Sequence, residues 1–91
     1  MKNYRIEVEQ GLQLILQFTY FKTESQATCN YDHLNITDGD GTTLMGKTCG
    51  SSSLPANVTS VSNVINLVFK TDSSNTARGW RVRWDAVRAG M

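Results

Sequence analysis

Ninety-one residues allow one hydrophobic core and not two, because a chain of this size buries only about 60–65% of its unfolded surface. With 40% hydrophobic and 19% charged residues and a single proline, the composition is that of a folded domain and excludes a disordered chain. Nine basic against eight acidic residues leave a formal charge of +1, which removes any general electrostatic reason to bind nucleic acid or an anionic membrane.

Met1-Lys2-Asn3-Tyr4 leads into no apolar signal core, and runs such as Leu14-Ile15-Leu16 are too short to insert into a membrane. A secreted form would therefore have lost its signal or be part of a longer chain.

Alternation of period two dominates, which predicts an all-β protein. Tyr4, Ile6 and Val8 alternate with Arg5, Glu7 and Glu9 as a half-buried first strand. Gln10-Gly11 turns the chain into a second strand whose Leu12, Leu14, Leu16 and Phe18 share a face. Residues 22–30 form a polar loop, and a third strand follows from Tyr31 to Thr37 with Leu34 and Ile36 inward and Asn35 on the opposite face. Asp38-Gly39-Asp40-Gly41 is a turn signal, since glycine accepts the positive φ that tight hairpins require.

A short strand from Thr42 to Lys47 comes next, then a serine-rich loop, then a brief strand over Val58–Val61. Val64–Lys70, β-branched and aromatic, reads as a better strand. Thr71–Gly79 is polar loop, and a last strand over Trp80–Ala86 places Trp80, Val82 and Trp84 on one face, where tryptophans in strand register favour the core. About seven short strands joined by turns predict an antiparallel β-sandwich, with one domain over residues 1–91.

Cys29 and Cys49 stand twenty positions apart, and neither belongs to a Cys-x-x-Cys pair, which argues against zinc or thioredoxin-type chemistry. A disulfide closing that loop would stabilise the fold by about 3 kcal/mol; two free thiols in a reducing compartment are the alternative. The sequons Asn35-Ile36-Thr37 and Asn57-Val58-Thr59 mark Asn35 and Asn57 as candidate glycosylation sites and favour a secreted, extracellular glycoprotein.

Five ordered pieces then carry a family pattern: residues 16–24 (LQFTYFKTE), 29–39 (CNYDHLNITDG), 46–50 (GKTCG), 68–75 (VFKTDSSN) and 79–84 (GWRVRW). Their order and spacing resemble CUB domains over nearly the full chain. The resemblance implies a jelly-roll-type β-sandwich that acts as a binding module and is not an enzyme. Two features of the family pattern are missing: the glycine-rich opening strand, and the first disulfide, in whose second-cysteine place this chain has Lys2.

Calcium-binding members, as in complement proteases and tolloid-like proteins, hold the ion with a glutamate ahead of a Cys-x-Tyr-Asp motif, the aspartate of that motif, and an aspartate in a later loop. By resemblance these roles fall on Glu24, Asp32 and Asp72, with Ser74 and Asn75 adding oxygens. A hard divalent cation such as Ca²⁺ suits clustered carboxylates that would otherwise repel. Read singly, Asp32 is a strand cap, Glu24 a solvated loop residue and Asp72 a turn starter.

In that family the organised carboxylates receive a basic side chain, Lys or Arg, from a protein partner, a charge-assisted contact made at little ordering cost. Tyr31, His33, Asp72 and Asn75 would border it. His33, the one histidine, reads as an outward strand residue, and without a Gly-x-Ser-x-Gly elbow it makes no case for catalysis.

Two other binding readings compete. One is a glycan-binding relative, with Trp80 and Trp84 stacking on sugars or Arg78, Arg81, Arg83 and Arg88 meeting sulfated groups. The other is a structural tile that self-assembles through an unpaired edge strand.

Overall fold

A computed structural model describes residues 2–23, 29, 32–50, 53–70 and 79–88. Seven strands follow in chain order: β1 (Lys2–Glu7), β2 (Leu12–Lys22), β3 (His33–Asp38), β4 (Thr43–Thr48), β5 (Val58–Thr59), β6 (Val64–Lys70) and β7 (Gly79–Arg88). They form two antiparallel sheets, one ordered β1-β6-β3-β4 and the other β5-β2-β7.

The expected sandwich is therefore present, and its inner faces follow the alternation of the sequence. Leu14, Leu16, Phe18 and Phe21 of β2 meet Leu34 and Ile36 of β3, Val58 of β5, and Ile65 and Leu67 of β6 in one buried cluster. Phe18 and Phe21 share that face although three residues apart, because the β2–β7 register shifts between Phe18 and Tyr20 and re-aims the strand.

The turn at Gln10-Gly11 does not close a hairpin. It carries the chain across the sandwich, since β1 pairs with β6 and β2 pairs with β7. Asp38–Gly41 does close one, between β3 and β4: the Gly41 amide donates to the Asp38 carbonyl at 2.9 Å, and Gly41 has a φ of 93°. Gly39 is required for space, because a β-carbon there would lie 2.9 Å from the Val64 Cβ.

The two flanks of the sandwich differ. On one flank β4 and β5 approach each other, whereas on the other the Cα traces of β1 and β7 stay more than 8 Å apart throughout. Trp84 is consequently 47% exposed, although its partner across the sheet is the fully buried Leu16. The expectation that both tryptophans enter the core is corrected here. Trp80 is half-buried and packs edge-to-face on Tyr4 and Phe69, but among the described residues no strand of the facing sheet comes over Trp84 closely enough to bury it.

Candidate functional site

The candidate cation and partner site belongs to the end of the sandwich where β2 and β6 stop and β3 starts. Asp32 immediately precedes β3 and is 1% exposed. Beside it, His33 opens β3 opposite Lys70, the last residue of β6. Thr23, just after β2, makes a reciprocal pair with the segment after β4: its amide donates to the Gly50 carbonyl at 3.0 Å, and its hydroxyl accepts from the Gly50 amide at 2.9 Å.

The Cys29–Cys49 disulfide ties the same end together, with a Cα–Cα separation of 5.5 Å, an ordinary value for such a bond. Cys29 has a φ of 54°, in the left-handed region that few side chains adopt. Its carbonyl accepts a hydrogen bond from His33 Nδ1 at 2.9 Å, which puts the proton on that nitrogen.

His33 is therefore not the outward residue expected from strand alternation. It is 7% exposed, because its ring turns back over the disulfide segment at the strand end, where two-residue periodicity no longer governs which side is covered.

Of the other expected site residues, Glu24, Tyr31, Asp72, Ser74 and Asn75 lie outside the described residues. Described residues stand close to three of them in the chain. Thr23 precedes Glu24, Asp32 follows Tyr31, and Lys70 stands two positions before Asp72, and these three described residues lie at one end of the sandwich. Among the described residues alone, no group of three His, Cys, Asp or Glu side chains forms a metal-binding cluster.

The two sequons occupy different settings. Asn57 is exposed just ahead of β5, whereas Asn35 is half-buried in β3, and its side-chain oxygen is buried without a hydrogen-bond partner.

At the far end of β3 stands a second buried carboxylate whose role a turn-based reading of the sequence misses. Asp38 is 0% exposed. Its oxygens accept from the Val61 amide at 2.6 Å, the Gly39 amide at 2.7 Å and the Ser62 amide at 3.3 Å, and also from the Ser62 hydroxyl. Burial alone would raise its pKa. The hydrogen bonds from Ser62, Val61 and Gly39 outweigh that effect and hold the carboxyl below its ordinary value of 3.8.

Ser60 continues this seam. Its hydroxyl accepts from the Leu14 amide at 2.8 Å and donates to the Ser62 carbonyl at 2.6 Å, which locks the β5–β6 connection onto β2. The one available signal was the Ser60-x-Ser62 pair between two strands, and nothing local links it to an aspartate 24 positions earlier.

Comparison with known proteins places this geometry in a family. The family model described as CUB domain matches residues 2–84. Cubilin of Sus scrofa is 43% identical over 81 residues, which cover 87% of this chain and 2% of that protein. Tolloid-like protein 1 of Homo sapiens is 33% identical over 82 residues, covering 88% of this chain and 8% of that protein. The chain thus spans a small fraction of the relatives it matches.

Among solved structures, the CUB1-EGF-CUB2 domain of human MASP-1/3 superposes with a TM-score of 0.79 at 26% identity, over 96% of this chain and 35% of that one. Two antiparallel sheets in this order, a disulfide across the β3–β4 end, and a sequence match along almost the whole length all agree: the chain belongs to the CUB domain family and is an extracellular protein-interaction module.

Proposed function

We propose that this domain binds a protein partner in a Ca²⁺-dependent way, through a Lys or Arg side chain received by carboxylates at the Asp32 end of the sandwich. The observation that supports the reading is that Thr23, Asp32 and Lys70, which stand at or within two positions of Glu24, Tyr31 and Asp72 in the sequence, lie at one end of the sandwich. Asp32 fits a cation ligand by chemistry, because a buried carboxylate gains most from a nearby positive charge. When bound, the ion supplies the charge that lets several carboxylates share one site.

The roles of the chain's own residues follow from their places. Glu24, Asp32 and Asp72 would hold the ion, with Ser74 and Asn75 completing its oxygen shell. Asp72, Asn75 and Tyr31 would face the partner's cation. His33, being buried, acts one step back by holding the Cys29 carbonyl and hence the segment that leads to Tyr31. No step of bond making or breaking is required, so the function is recognition and not catalysis.

Calorimetric titration of Ca²⁺ into the native domain and into Asp72→Ala, with melts in Ca²⁺ and in chelator, tests the reading. The expected result is binding that disappears in the variant and a melt raised by Ca²⁺ in the native domain only. Absence of binding to the native domain overturns it.

A further inference from the structure

Among the described residues, the flank between β1 and β7 stays open. β7 pairs with β2 along its whole length on one side, and its other edge has no strand partner among the described residues. Beside that edge runs a groove of about 450 Å³ lined by Tyr4, Ile6, Leu67, Trp80, Val82 and Trp84. Tyr4 and Trp84 are 43% and 47% exposed there, an unusual cost for aromatic side chains aimed at a core.

The solvent-side charges of β7 say what would cover this edge. Arg83 and Asp85 are both exposed, two positions apart on one face, and their partners across β2 are Gln17 and Ile15, so neither has an opposite charge facing it from the neighbouring strand. We infer that the β7 edge pairs antiparallel with the β7 edge of a second copy of this chain, about a two-fold axis at Trp84.

That register sets Arg83 opposite Asp85 of the second copy, twice by symmetry, and Trp84 opposite Trp84 on the core side. The neighbouring registers are worse: an axis at Arg83 also makes two Arg–Asp pairs, Arg81 with Asp85, but opposes two arginines at its centre, one at Asp85 opposes two aspartates, and one at Val82 opposes Arg81 to Arg83. An axis at Ala86 leaves Asp85 facing Val87.

The pairing extends the three-stranded sheet to six strands in the order β5-β2-β7-β7-β2-β5. It satisfies the free backbone groups of β7 and shields both Trp84 side chains from water. The inference rests on the β7 edge alone and not on the cation site.

Sedimentation velocity from low micromolar to near-millimolar concentration tests it, on the native chain, Arg83→Asp, Asp85→Arg and the double variant, each checked for folding by circular dichroism. A reversible dimer is expected in the native chain. Each single substitution opposes like charges twice and should weaken the dimer by about tenfold or more, and the double variant, which restores the pairs in reverse, should return to near-native affinity. A monomer at every concentration overturns the inference and leaves the groove to a different polypeptide. So does a dimer indifferent to all three variants.

Discussion

Strand β3 is bounded by two buried aspartates to which different roles fall. Asp38, at its end, takes its hydrogen bonds from the chain itself: three amides and a hydroxyl from Gly39, Val61 and Ser62 surround the charge. Asp32, ahead of its start, stands at the end of the sandwich where β2 and β6 stop, and the proposed function gives it a cation ligand's role. A carboxylate enclosed by donors is a structural fastener with no need of an ion. A carboxylate in the ligand's role proposed for Asp32 would share its charge with a cation instead.

Removing each fastener separates the two cases. Asp38→Ala should cost the most, about 3–5 kcal/mol, because the amides of the 61–62 turn and the Ser62 hydroxyl lose their shared buried acceptor, and Ca²⁺ should not restore the lost stability. Urea unfolding with and without Ca²⁺ measures both statements. The same carboxylate sets an acid limit. Its folded pKa is depressed, so its contribution is fully present above the unfolded value near 3.8 and is lost as pH falls through the lower folded value. The native chain should lose more stability below about pH 4 than Asp38→Asn does, and pH-dependent melts would show it.

Cutting the tie at the opposite end should cost somewhat less. Replacing Cys29 and Cys49 together by serine is expected to lower stability by about 3 kcal/mol, through the entropy of the opened loop. If the Asp32 end is organised as proposed, the same variant should also lose Ca²⁺ affinity, which the Asp38 variant should keep.

Asp32→Asn tests the cation reading alone. At a Ca²⁺ concentration near one hundred times Kd the native domain gains about 2.7 kcal/mol, and the variant should gain little of it. A variant destabilised by the same amount in Ca²⁺ and in chelator would make Asp32 a second fastener. The smallest effect concerns glycans: Asn57→Gln should remove one N-glycan from the secreted protein, and Asn35→Gln should remove none, because Asn57 is exposed while the Asn35 carboxamide oxygen is buried. Mass spectrometry of each variant reads this directly.

Much of the architecture is legible in the chain because β-structure writes itself in a period of two. Val64–Lys70 was expected as a strand and is β6 with the same bounds, and the core faces of β2 and β3 follow Leu14-Leu16-Phe18 and Leu34-Ile36 as read. Strand ends were less accurate. β7 runs to Arg88, two residues beyond expectation, because pairing with Leu12 and Gln13 holds Val87 and Arg88 extended whatever their own preference. His33 and Trp84 were misplaced for related reasons. Alternation assigns a residue to a side of its sheet, but exposure depends on what lies over that side, and this is supplied by segments distant in sequence.

The amino-acid sequence by itself determined the all-β class, the inward faces of the long strands, the β3–β4 hairpin and the family, since these depend on alternation, turn chemistry and the order of short motifs. Only the tertiary structure decided that Asp38 is a buried fastener, that β1 crosses to pair with β6, and that one flank stays open beside Trp84. Each of these depends on contacts between residues tens of positions apart, and local propensity holds no record of them.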